Sequence, residues 1–128
     1  MRYIQIYKCL CDPVRLRILN LLRDGPLCVC HLVEILGLGQ VVVSKQLSYM
    51  KRLGMVSCER HAQWMVYRLA EPENRLLIEN LKCLQDCAGE DMRFAGDLRK
   101  RRALVARLAA GETPRRPGLL AVLEAKSC

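Results

Sequence analysis

The sequence predicts a mainly α chain with one small β-hairpin, and three observations carry that prediction. Two short segments with helical apolar spacing, 29–36 and 40–53, are joined by Gly37-Leu38-Gly39, the pattern of a helix-turn-helix. Directly behind them, residues 55–60 and 64–69 form strand-like runs around His61-Ala62-Gln63, so a hairpin follows the second helix as a wing. Helical periodicity then resumes after Glu71 and continues to about Ala110. The combination is a winged helix-turn-helix, with residues 1–110 as the folded domain and 111–128 as a loose C-terminal tail.

Taken in order, Tyr3, Ile4, Tyr7 and Leu10 have the spacing of a short first helix. Asp12-Pro13 is a helix start, an N-cap carboxylate followed by proline at the first helical position. Val14, Ile18, Leu21 and Leu22 then give one apolar face to about Arg23, and Asp24-Gly25-Pro26 ends the segment. Arg15, Arg17 and Arg23 lie off that face and are expected in solvent. The next helix carries Val29, Leu32, Val33 and Leu36, and the one after it Val43, Leu47, Met50 and Leu53, with Gly54 as its stop.

The outer face of this second helix holds Val41, Val42, Lys45, Ser48, Tyr49 and Arg52. Lys45 and Arg52 suit phosphates, while Gln40 and Ser44 lie near the end where base edges are read. Exposed Val41 and Val42 are unusual on a solvated helix, and thymine methyl groups offer them an apolar partner. In the second wing run Met65, Tyr67 and Leu69 alternate with Trp64, Val66 and Arg68, a half-buried strand. Beyond the wing, Leu76, Leu77, Asn80, Leu81, Leu84 and Cys87 mark a helix ending near Ala88-Gly89. A last helix at 91–110 carries Phe94, Leu98, Val105 and Leu108, and its run Arg99-Lys100-Arg101-Arg102 is expected to be solvated. Residues 119–123 could add a final turn of helix.

Bulk properties narrow the function. The chain has 128 residues, 52% of them hydrophobic, enough for one core and too many for a disordered tail. No stretch has the roughly 18 to 20 unbroken apolar residues of a membrane span. No export signal is visible at the N-terminus, so a cytoplasmic protein is expected. The net charge is +8, with nine Lys/Arg against four Asp/Glu in residues 1–60, which suits a polyanion, nucleic acid before membrane. An enzyme is not expected, since there is no phosphate loop, no Cys-x-x-Cys and no paired carboxylates.

In a reducing compartment the eight cysteines point to metal or redox chemistry rather than a disulfide frame, though several can be plain buried thiols. Cys28 and Cys30 stand one residue apart where a helix begins. Thiolates select soft ions, which points to arsenic, antimony, cadmium or zinc. Positions i and i+2 of a helix face about 200° apart, so the pair can chelate jointly only if Cys28 lies outside the helix or the first turn unwinds. Unwinding would deform the first helix of the helix-turn-helix and tilt the second. Cys83 and Cys87, at i and i+4, are either a second ligand pair or core thiols, and Cys128 is expected to have no structural part.

Four motifs in order resemble the ArsR/SmtB family of metal-responsive repressors. Leu10-Cys11-Asp12-Pro13-Val14-Arg15-Leu16-Arg17-Ile18-Leu19 resembles its "sDPtRlrIL" opening, and Leu27-Cys28-Val29-Cys30-His31-Leu32 the "ELCVCDL" metal box of its arsenical-resistance branch. Leu38-Gly39-Gln40-Val41-Val42-Val43-Ser44-Lys45-Gln46-Leu47 resembles "LsQstvSrHL", and 64–69 the second wing strand. The resemblance implies a homodimer, paired through the first helix and the helix at 73–88. It further implies repression of an arsenic-resistance operon, with release from double-stranded operator DNA when As(III) or Sb(III) binds cysteine thiolates. No organic cofactor and no membrane are implied. A cadmium- or zinc-sensing or redox-sensing repressor on the same scaffold is the alternative.

By the same resemblance Cys28 and Cys30 are the metal ligands, and Gln40, Ser44, Lys45 and Gln46 fall on the recognition helix. Val42 and Tyr49 share its outer face, and His61 and Gln63 stand at the wing tip. The family's third box cysteine is Val33 here, so the site needs another donor. Cys9 and Cys11, supplied by the partner subunit as in related cadmium sensors, are the candidates, with Cys58 behind them. His31 is too hard a donor for arsenic. Val41, Val42 and Gly39 stand where the family has small polar residues and an N-cap serine, and the wing tip lacks glycine.

Overall fold

The structure, a computed structural model, describes residues 2–71, 74–87 and 91–110. The predicted helix stop at Ala88-Gly89, the tail at 111–128 with its possible final turn, and Cys128 lie outside the described residues.

Asp12 divides the first two helices, α1 (Arg2–Leu10) and α2 (Pro13–Arg23). Its extended backbone and its carboxylate, which accepts from the Arg15 amide at 3.0 Å, form the expected N-cap with Pro13 at the first helical position. α2 is the hub. Ile18, Leu19 and Leu21 are fully buried, and the helix packs against α1 and against four later elements: α4 (Gln40–Arg52), β3 (Trp64–Leu69), α5 (Arg75–Cys87) and α6 (Met92–Ala109). α1 buries only Ile6 and Cys9 in this packing. Three residues of its predicted stripe stay open, Tyr3 at 62%, Ile4 at 50% and Tyr7 at 50% exposure.

The helix-turn-helix is α3 (Val29–Leu36) and α4. Gly37 closes α3 in the left-handed region at φ 68°, a conformation that side chains with a Cβ rarely adopt, and its amide bonds the Val33 carbonyl. Val43, Leu47 and Met50 of α4 are buried, which leaves Val41 and Val42 outward at 68% and 44% exposure.

The sheet differs from the expected hairpin. Leu27–Cys28 forms a strand, β1, and pairs antiparallel with β3, so with β2 (Val56–His61) the order is β1-β3-β2. Its register sets Leu27 opposite Tyr67 and Cys28 opposite Val66. A two-residue strand carries no detectable period, which is why sequence spacing misses it. The wing closes over Ala62-Gln63 between the paired His61 and Trp64, and Ala62 takes the left-handed conformation at φ 55° where glycine was missed. On β3 the buried positions are Val66 and Leu69, while Met65 is exposed and Tyr67 only partly covered, so the predicted alternation does not hold.

Charged side chains expected in solvent turn inward. Arg17 binds Asp97 of α6 twice, at 2.8 and 2.9 Å, and donates to the Leu36 carbonyl at the end of α3. Arg23 donates to Gln85 of α5. Arg101, from the basic run on α6, is buried and donates to the carbonyls of Asp24 and Pro26, both at 3.3 Å. The buried face of α6 is therefore Asp97, Arg101 and Leu104, with Leu98 and Leu108 packed beside it. The neighbouring Arg99, Lys100 and Arg102 are exposed as predicted.

Candidate metal centre and nucleic-acid face

The thiol pair is built at the joint between β1 and α3. Cys28 is the last residue of the strand and the N-cap of the helix, with extended backbone at φ −84° and ψ 161°. Cys30 is the second residue of the helix. This resolves the geometric conflict of an i, i+2 pair without unwinding. The helix begins one residue after Cys28, and the sulfurs stand 2.9 Å apart. Of the two expected routes to joint chelation, the structure has Cys28 outside the helix, and the thiols converge without an unwound first turn.

His31 completes the group. Its Nδ1 lies 3.1 Å from Cys28 Sγ, and the donor atoms of Cys28, Cys30 and His31 all fall within 4.8 Å of one another. Cys28 and His31 are buried and Cys30 is half-buried. A four-coordinate ion with sulfur bonds of about 2.3 Å would hold two sulfurs about 3.8 Å apart, so the pair needs to open by about 0.9 Å, within side-chain adjustment. Two sulfurs and one imidazole fit a soft or borderline cation. Softness alone argues against His31 in the sequence, whereas its i, i+3 spacing from Cys28 is the signal that points to it.

The other thiols lie elsewhere. Among the described residues of a single chain, neither Cys9 nor Cys11 joins this group. Cys9 is fully buried and Cys11 exposed. Burial pushes the Cys9 thiol above its ordinary range, with the Arg15 guanidinium pulling the other way. Cys58 sits on β2 opposite Tyr67 and accepts from Lys51 Nζ at 3.2 Å. That bond raises the Lys51 ammonium, and burial, then Cys58, raises the Tyr67 phenol. Cys83 and Cys87 are both exposed on α5, so the core-thiol reading of that pair is overturned.

The joint is braced from behind. Arg101 holds the Asp24 and Pro26 carbonyls just before β1, and Arg107 meets Glu34 of α3 at 2.8 Å. Burial lowers the Arg101 pKa, with Asp24 opposing. These α6 contacts were not legible in the sequence because they join residues more than seventy positions apart.

The outer face of α4 forms an open groove lined by Gln40, Ser44, Lys45, Gln46 and Tyr49, with Arg15 of α2 at its edge. Val42 is exposed on the same helix, and His61 and Gln63 flank the turn of the wing. The predicted set thus lies on α4 and on the wing tip that follows it.

The α3–α4 helix-turn-helix, packed on α2 and followed by the β2–β3 wing, defines the winged helix-turn-helix class. The model of the arsR family of bacterial regulatory proteins matches residues 12–57. The arsenical resistance operon repressor of Bacillus subtilis is 35% identical over 91 residues, covering 70% of this chain and 87% of that protein. The chain belongs to the arsR family. The arsenic resistance transcriptional regulator ArsR1 of Pseudomonas putida is 40% identical over 65 residues, 50% of this chain and about half, 51%, of that protein. Among solved structures, the homodimeric winged helix-turn-helix DNA-binding domain Mb0332 of Mycobacterium bovis, described as a possible ArsR-family regulator, is similar at 26% identity. It superposes with a TM-score of 0.58 over 70% of this chain and 80% of that one. No described helix is long and apolar enough to cross a membrane.

Proposed function

We propose that this protein is a cytoplasmic, homodimeric repressor of an arsenic-resistance operon. In this reading As(III) or Sb(III), bound by the thiolates of Cys28 and Cys30, releases it from double-stranded operator DNA. The observation that carries the reading is the 2.9 Å approach of the two sulfurs at the entrance to the helix-turn-helix. A helix N-terminus favours the thiolate form. Because Cys28 belongs to β1 and Cys30 to α3, any change in their separation acts on two elements. One is paired to the wing strand β3 and the other packs on α4. Both parts that would touch DNA are therefore mechanically tied to the thiols.

Gln40, Val42, Ser44, Lys45, Gln46 and Tyr49 are proposed to meet the operator from α4, and His61 and Gln63 from the wing. The half-exposed Tyr3, Ile4 and Tyr7 on α1 support a second copy as the cover for that face. Cys9 or Cys11 of that copy is the proposed source of a third thiolate, with Cys11 the accessible one.

His31 supports a second reading, a cadmium or zinc sensor on the same scaffold, because an imidazole next to two thiolates suits those ions. Operator-release titrations with arsenite, antimonite, cadmium and zinc separate the two. Arsenite release that survives His31→Asn and is lost in the Cys28→Ser, Cys30→Ser double variant supports the arsenic reading. Release by cadmium or zinc that needs His31 supports the second. A double variant that still leaves DNA under arsenite overturns the thiol trigger.

A further inference from the structure

Each of the three guanidinium nitrogens of Arg15 donates one hydrogen bond within the protein. Nε donates to the Cys9 carbonyl at 2.9 Å and Nη2 to the Lys8 carbonyl at 3.1 Å, at the C-terminus of α1 where the helix dipole favours a cation. Nη1 donates to Gln46 Oε1 at 3.1 Å, and the group lies 4.6 Å over the Tyr49 ring. A guanidinium has donors only, so the side of the Gln46 amide facing it must be the oxygen. Both N–H groups of that amide are therefore turned away from Arg15. Gln46 itself lines the α4 groove.

We propose that Arg15 is a positioning residue that sets base specificity through Gln46. Holding Oε1 on the Arg15 side takes one of its two lone pairs and turns Nε2 to the groove, which biases the amide toward donating and so toward the acceptor-only major-groove edge of guanine, N7 and O6. Adenine sets an N6 donor beside its N7 and is disfavoured. An unheld amide would rotate and accept either purine. Three of the five Arg15 donors are occupied within the protein, so Arg15 acts on base choice rather than as a phosphate clamp. The proposal rests on the reading that α4 meets DNA through Gln46.

The full chain is used to select duplexes from a randomised library, comparing wild type with Arg15→Met, Gln46→Ala and Gln46→Glu. The wild type enriches guanine at a position that Gln46→Ala makes indifferent. Arg15→Met lowers the guanine-over-adenine preference there by about fivefold, the low end for one bidentate contact. The other positions and the salt dependence stay unchanged. Gln46→Glu keeps the bond to Arg15 but presents an acceptor where the donors stood, so its preference moves from guanine to a donor-bearing base; a guanine preference retained by Gln46→Glu overturns the donor role, which keeps the proposal falsifiable if Arg15→Met fails to fold. Wild-type selectivity in Arg15→Met alongside lost selectivity in Gln46→Ala overturns the role of Arg15 alone. An unchanged profile in Gln46→Ala overturns the underlying placement of Gln46. Uniformly weaker binding by Arg15→Met, with the salt slope reduced by about one, identifies a phosphate contact instead and also overturns it.

Discussion

Replacing Asp97 with alanine is expected to remove about 3 kcal/mol of folding stability. The Asp97 side chain is 3% exposed and receives both Nε and Nη2 of Arg17, whose own side chain is 13% exposed. The bond to Asp97 outweighs burial and raises the Arg17 pKa, so the pair is a net attraction within this site. Removing one partner of a buried pair costs about 3–5 kcal/mol because a charge is left stranded. Two features favour the lower figure. Residual exposure lets water reach the orphaned guanidinium, and Nη2 keeps the Leu36 carbonyl at 3.3 Å. At an m-value of about 2 kcal/mol/M the urea midpoint should fall by about 1.5 M. Unfolding is followed by far-ultraviolet circular dichroism at one protein concentration, since the stability of an oligomer depends on it. The charge-free pair Arg17→Met, Asp97→Leu should recover most of the loss. A loss under about 1 kcal/mol for Asp97→Ala, or a double variant as unstable as the single, would refute the stranded-charge argument.

Asp12→Ala removes the side-chain cap on the Arg15 amide and should cost about 1 kcal/mol in the same assay. Ala62→Gly relieves the left-handed conformation at φ 55°, worth about 1–2 kcal/mol, against a glycine entropy cost of about 0.5–1 kcal/mol. A rise in melting temperature is the expected result, and a fall would show that the turn carries no strain. Cys9 should resist iodoacetamide in the native protein at neutral pH and react once urea unfolds it, as read by peptide mass. Its thiol is raised on folding, so its contribution to stability is present below the ordinary value of 9.0 and declines as pH rises beyond it. A stability that rises with pH on a Cys9-dependent basis would contradict that sign.

The helices of the DNA-reading half were legible because their signals are local. Asp12-Pro13, Gly37, Gly54 and the stripe Val43-Leu47-Met50 each specify an element through neighbours within one or two turns, and each stands where expected. The arginines were misread for the opposite reason. A side chain off an apolar stripe is solvated only if no other element covers it, and here distant segments do: α6 meets Arg17, α5 meets Arg23, and the Asp24–Pro26 segment meets Arg101 of α6. The wing was legible as two strands, but its turn was not, since Ala62 adopts a backbone conformation that its own type disfavours.

The sequence by itself determined the order of the helices and of the two wing strands, the location of the helix-turn-helix and the neighbouring thiols Cys28 and Cys30. Those follow from periodicity, capping and donor chemistry, which are properties of short stretches. Only the tertiary structure decided how that pair is arranged. Pairing of Leu27 and Cys28 with Tyr67 and Val66 of β3 keeps Cys28 extended and outside α3. That placement lets sulfurs two residues apart converge instead of diverging around a helix, and brings His31 to them. The partner strand lies some forty residues further along the chain, and no pattern within the box itself encodes it.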